Sequence, residues 1–174
     1  RQIINAEGGT GLIVAPLCVA EQTIQHAEHM GMELVKVADN RTSPRPEYQI
    51  TNYEKLHRFD QSEYTAIVLD ESSILKSVDG KTRTRLLSEF SDIPYRLCCT
   101  ATPAPNDVAE MANHAQFLGI MKRPEMLATF FVHEDSQHWR LKGHASEKFY
   151  EWLASWCVFI RGPQDIGFDQ SGYS

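Results

Sequence analysis

The chain has 174 residues, 42% of them hydrophobic, which suits one globular domain with a core of its own, or a large piece of one, and is too short for two full domains. Seventeen basic residues against 23 acidic ones leave a net charge of -6, which argues against an autonomous nucleic-acid binder with a basic face, although a groove on an acidic protein can still hold phosphates. No apolar run reaches the roughly 18 to 20 residues of a membrane span, and Cys18, Cys98, Cys99 and Cys157 have neither the spacing of a zinc site nor that of a disulfide framework.

Taken in chain order, residues 11–15 (GLIVA), closed by Pro16, predict a buried strand, and 19–30 (VAEQTIQHAEHM) predict a helix that Gly31 stops. Residues 34–37 predict a second strand, and 38–47 a loop rich in breakers. A third strand is expected over 48–51 and a short helix over 53–59. Residues 66–69 form the fourth expected strand, 82–90 a helix, and 95–100 a fifth strand closed by Ala101-Thr102-Pro103. Apolar strands alternating with helices predict an α/β fold whose parallel sheet is covered on both faces. Beyond it, 105–119 and 124–131 predict helices, each opened by a proline suited to a first turn. Phe149, Trp152, Leu153, Trp156 and Ile160 recur at spacings of three and four, the stripe of a core-packing helix rather than a base-stacking platform. The cysteines read as small buried hydrophobes in a reducing compartment, and the chain as soluble and intracellular.

In open parallel sheets ligands lie beyond the carboxyl ends of the strands, so the residues just after each strand carry the chemistry. Ala15-Pro16-Leu17, Asp70-Glu71-Ser72-Ser73 and Thr100-Ala101-Thr102-Pro103 occupy those places. A carboxylate such as Asp70 can hold Mg²⁺ through its water shell, and a neighbour such as Glu71 can orient and deprotonate a water. Phosphoryl transfer needs both parts.

Four stretches stand in a characteristic order: LIVAPLCVAEQT (12–23), ITNYEKL (50–56), IVLDESSILKS (67–77) and RLCCTATPAPND (96–107). They resemble motifs Ia, Ib, II and III of the first RecA-like lobe of superfamily-two helicases, most closely the Swi/Snf-like DEAD/DEAH-box ATPases of bacteria and phages. The resemblance continues more loosely through FYEWLASWCVFIRGPQDIGFD (149–169). It implies a RecA-like parallel sheet flanked by helices, a P-loop NTPase fold lacking its first strand and P-loop, with a helical C-terminal extension. Residues 1–120 would be the partial lobe, 121–165 the extension and 166–174 a linker toward a second lobe. Implied cofactors are ATP and Mg²⁺. Implied partners are double-stranded DNA, met at its backbone, and the second RecA-like lobe. The implied setting is the cytoplasm of a bacterial or phage-infected cell.

Residue by residue, the resemblance makes Asp70 the Mg²⁺-associated acid and Glu71 the acid that activates water. It makes Thr100 and Thr102 the motif III hydroxyls that hydrogen-bond near motif II. Ala15, Pro16, Leu17, Thr51 and Asn52 would touch a nucleic-acid backbone, contacts that position without reading sequence. The pattern departs in two places. Ser72-Ser73 replaces the usual Ala-Asp or Ala-His, so the bridge from motif II to motif III must be made by a hydroxyl or be absent. No Walker A loop precedes motif Ia, where AEGGTG (6–11) lacks the lysine that cradles phosphates; the chain reads as a fragment, inactive alone.

Gly80-Lys81-Thr82 spells the end of a Walker A loop, but Leu75 holds the first-glycine position and the segment follows motif II. It reads instead as a turn feeding a helix, with Lys76, Lys81, Arg83 and Arg85 as a solvated basic patch. His26 and His29, and His133-Glu134-Asp135, lack the full ligand set of a catalytic metal site and read as surface residues. A degenerate lobe that only binds DNA or a partner protein is the alternative to the ATPase. A metal-dependent nuclease built on Asp70 and Glu71 is weaker, because no further acid and lysine set lies at a neighbouring strand end.

Overall fold

The computed structural model describes residues 2–76, 80–104, 107–134, 139–167 and 169. Its contacts divide the chain into two compact units, residues 1–129 and 130–174.

The first unit opens with a one-and-a-half-turn helix, α1 (Gln2–Glu7), and continues through β1 (Gly11–Ala15), α2 (Ala20–His29), β2 (Leu34–Lys36), β3 (Tyr48–Asn52), β4 (Ala66–Asp70), α3 (Lys81–Glu89), β5 (Tyr95–Cys99), α4 (Met111–Leu118) and α5 (Arg123–Phe130). The five strands form one parallel sheet, as their apolar runs predict, in the order β2-β3-β1-β4-β5. The segment 53–59 is a 3-10 turn (Tyr53–Arg58) rather than an α-helix, begun where the Lys55 N–H donates to Asn52 Oδ1 at 3.1 Å. Pro105 lies outside the described residues. The helix expected from it starts at Met111, after a 3-10 turn (Val108–Glu110) launched by the Ala109 N–H on Asp107 Oδ1.

Alternation along each strand assigns the two faces. Leu12, Val14, Ile67 and Leu69 point to one side, where Tyr53, Leu56, Leu75, Leu86, Phe90 and Phe117 complete the main core. Each fully buried Leu, Ile or Phe there contributes about 1.5 to 3 kcal/mol. Ala15 and Ile50 point the other way, beneath Ala20 and Ala27 of α2. The expectation of a sheet covered on both faces fails at β5. Its residues alternate exposed and half-buried, with Leu97 53% exposed, because the ten-residue α2 packs over the β1-β3-β2 side.

The second unit holds an antiparallel hairpin, β6 (Phe131–His133) with β7 (Trp139–Leu141), followed by α6 (Ser146–Ala154). Phe130, Phe131, Phe149 and Trp152 pack ring on ring at centroid distances of 5.3 to 5.9 Å, and Phe149 and Leu153 are buried. The aromatic stripe is thus a core for most of its length, but Ile160 lies past the end of α6 and is exposed. Asp135, and with it the third member of the 133–135 cluster, lies outside the described residues, as do Phe168 and 170–174 of the expected linker. Among the described residues no helix is long and apolar enough to cross a membrane.

Candidate active site

Parallel strands all end on the same edge, and their register fixes what meets there. Ala15 pairs with Asn52, Val14 with Leu69, and Asp70 with Cys99, so the segments after β1, β3, β4 and β5 emerge side by side. The two acids stand at the exit of β4. Asp70 Oδ1 accepts the Glu71 N–H at 3.1 Å. Glu71 has φ 51°, the left-handed region, which costs a residue with a β-carbon about 1 to 2 kcal/mol. That turn brings Glu71 to β5, where the Thr100 hydroxyl donates to Glu71 Oε1 at 3.0 Å. Thr100 Oγ1 in turn accepts the Thr102 N–H at 3.0 Å.

The segment after β5 therefore meets the segment after β4 through Thr100 and the main chain of Thr102. The link between the two segments runs through the Glu71 carboxylate; Ser72, the third residue of DESS, is turned inward, and the fourth, Ser73, is half-buried. Ser72 is fully buried, with Oγ 3.1 Å from His114 Nε2 on α4.

Below the acids lies Tyr53, whose hydroxyl donates to the Asp70 carbonyl oxygen at 2.7 Å. Burial raises its phenol well above the ordinary tyrosine value, helped by the Cys98 thiol and the carboxylates of Asp70 and Glu71, so it remains a donor at neutral pH. The Cys99 thiol is raised likewise, first by partial desolvation where the residue meets the sheet and second by Asp70.

Among the described residues no three His, Cys, Asp or Glu side chains gather as a metal cage. This donor set suits Mg²⁺, which takes one or two carboxylates, keeps several waters and completes its shell with phosphate oxygens. A carboxylate offers about four acceptor positions, so Asp70 retains capacity beyond the Glu71 N–H. A phosphate cradle is another matter. Gly8 and Gly9 of AEGGTG precede β1 and Gly11 opens it, at the opposite end of the sheet from Asp70, and a β-carbon on Gly9 would overlap Thr65 Oγ1. They make a packed turn. Gly80 is the N-cap of α3, in keeping with a helix start.

The residues expected at a nucleic acid are dispersed in depth. Ala15, Thr51 and Asn52 are buried, and Asn52 spends its side chain capping the 3-10 turn. Pro16 is half-buried and Leu17 is 58% exposed, so these two are what the strand end presents outward. The basic patch is also not uniformly solvated. Arg83 turns inward and donates to Asn113 Oδ1 at 3.0 Å, Arg85 faces Glu89 at 3.6 Å, and the Lys76 side chain lies outside the described residues. His26, His29 and His133 are exposed, as expected. Of the cysteines, Cys18 and Cys99 are exposed rather than buried, because each sits at or just past a strand end, and none of the four is in a disulfide.

Sequence reasoning missed Tyr53 and His114, and noted Ser72 without its inward partner. The signal for His114 was its place on an apolar helix, MANHAQFL, where a buried histidine must find a partner.

No protein-family model matches the chain, and no curated protein matches it. Among solved structures it is similar to the Sulfolobus solfataricus SWI2/SNF2 ATPase core in complex with dsDNA, at 20% identity with a TM-score of 0.59. The match covers 74% of this chain and 30% of that one. The likeness shows the fold: an α/β, RecA-like parallel sheet flanked by helices.

Proposed function

We propose that the chain is part of the first lobe of a nucleic-acid-dependent ATPase, a helicase or double-strand DNA translocase, which as a whole protein hydrolyses ATP to ADP and phosphate. The observation that carries this reading is the hydrogen-bonded path from Thr102 N–H through Thr100 to Glu71, beside Asp70 at the exit of two adjacent parallel strands.

Asp70 would hold Mg²⁺ through water. That ion, when bound, neutralises charge on the phosphates. Glu71, held by Thr100, orients a water and takes its proton as the oxygen attacks the terminal phosphorus. Thr100 and Thr102 make the position of that base depend on the segment after β5. Pro16 and Leu17, with main-chain groups near Thr51 and Asn52, meet a DNA backbone, a role supported by the dsDNA bound to the structural neighbour. The reading requires a Walker A lysine and a second lobe with its arginine, and neither is spelled in these 174 residues.

The test is DNA-stimulated ATP hydrolysis by the full-length protein and its Glu71→Gln variant. Loss of a general base lowers kcat by about 10² to 10⁴-fold. Persistent turnover in the variant removes Glu71 from the mechanism. A full-length protein that binds DNA but not ATP is instead a binding module.

A further inference from the structure

We infer that His114 is a positioning residue for Glu71, acting through the buried hydroxyl of Ser72; the catalytic consequence rests on the ATPase reading above. Glu71 sits in the left-handed region, and a residue with a β-carbon stays there only where its surroundings over-determine it. The backbone is pinned on both sides of it. Before it, the Asp70 carbonyl takes the Tyr53 hydroxyl at 2.7 Å, and after it, Ser72 Oγ lies 3.1 Å from His114 Nε2, with both side chains buried.

The second pin is anchored far from the turn in sequence but on a rigid mount. Neighbouring Asn113 accepts Arg83 Nη2 from α3 at 3.0 Å, and the carbonyl of Leu118 at the end of the helix accepts Arg96 Nη2 from β5 at 3.0 Å. Phe117 is fully buried in the main core. α4 thus cannot follow a drifting turn, so Ser72 is tied to a fixed point. Releasing it lets residue 71 relax to an ordinary backbone angle and carries its carboxylate away from Thr100. In a serine-histidine pair either atom can supply the proton, so the tie needs only the geometry of Nε2.

The experiment uses the full-length protein with Ser72→Ala, His114→Leu and His114→Gln, the last because a glutamine amide reaches the place of Nε2. Two quantities are read: amide hydrogen exchange of 71–73 and DNA-stimulated ATP turnover. Ser72→Ala and His114→Leu should each speed exchange at 71–73 while the amides of β4 and α4 keep their protection. Each should lower kcat by about tenfold to a hundredfold, the scale of an ångström's misplacement, with the KM for ATP nearly unchanged. His114→Gln should restore most of both, and the Ser72→Ala/His114→Leu pair should be no worse than either alone.

Unchanged exchange at 71–73 in Ser72→Ala overturns the proposal, and that variant, which removes one oxygen, keeps the test open where His114→Leu does not fold. Faster exchange with unaltered kcat also overturns it. If the unsubstituted protein hydrolyses no ATP while exchange responds as expected, the ATPase reading fails and the tie through His114 stands.

Discussion

Tyr53 and Asp70 belong to strand ends that do not pair, yet the Tyr53 hydroxyl reaches across the end of β1 to donate a 2.7 Å hydrogen bond to the Asp70 carbonyl. The sheet order makes this possible, since β1 lies between β3 and β4 and ends at the small Ala15. Tyr53→Phe keeps the ring in the core and deletes one buried donor. It should cost about 1 kcal/mol in urea unfolding.

The same phenol sets an alkaline limit. Its folded-state pKa is raised, chiefly by burial, so the stability it contributes is fully present below the unfolded tyrosine value near 10. As pH climbs past that value the unfolded chain ionises while the folded one keeps its proton, and stability falls. Tyr64, also raised by burial, acts in the same direction. Urea midpoints should fall with pH above about 10 and fall less steeply in Tyr53→Phe. Equal slopes in the two proteins would place the proton elsewhere.

Thr100→Val replaces the hydroxyl that holds Glu71 Oε1 with a methyl of similar shape. The base remains but loses its orientation. In the full-length protein kcat should fall by about tenfold, less than in Glu71→Gln, with little change in KM. A rise in KM alone would mean that Thr100 serves binding rather than the base.

The sheet was legible because a parallel strand buried on both faces is a short apolar run, and GLIVA and AIVLD are such runs. Asp70 and Glu71 were legible for the same reason, standing where such a run stops. Tertiary partners were not. Ser72 meets a histidine 42 residues away, and nothing near DESS marks which serine turns inward. The 131–141 hairpin escaped because its strands have three residues each, too few to display a period, and α1 is only six residues long. The exposure of β5 was hidden by its composition, since YRLCC reads as buried whether or not a helix covers both sides.

Arg96 on β5 ties down the segment that follows α3 and the end of α4. Its Nη1 donates to the carbonyls of Ser91 and Ile93, the latter at 2.8 Å, and its Nη2 to that of Leu118 at 3.0 Å. Hydrogen bonds from a charged donor are worth about 1.5 to 3 kcal/mol each, though not additively, so Arg96→Ala should cost about 2 to 4 kcal/mol. Arg96→Lys should recover little, because one ammonium cannot reproduce the fork. Gly119 makes the opposing test. It ends α4 at φ 75° with Gly119 N–H on Gln116 O and Ile120 N–H on Ala115 O, and an added β-carbon would stand 2.6 Å from Arg96 Nη2. Gly119→Ala should destabilise by about 1 to 2 kcal/mol or more from the backbone alone, and by less in an Arg96→Ala background, where the steric part is gone.

Gly9 separates a structural glycine turn from a phosphate loop. It has φ 96°, and its β-carbon position falls on Thr65, the residue that leads into β4 and whose carbonyl accepts the Tyr95 N–H at 3.2 Å as β5 begins. Gly9→Ala therefore disturbs the start of two strands and should lower stability by about 1 to 2 kcal/mol or more, seen as a lower urea midpoint. Asp70 lies at the other end of the parallel strands, roughly 16 Å away for five residues at the usual rise. ATP affinity of the full-length variant, measured where it remains folded, should accordingly match that of the unsubstituted protein. A variant of ordinary stability that no longer binds nucleotide would make AEGGTG the cradle after all, and would move the phosphates to the wrong end of the sheet for Glu71 to serve them.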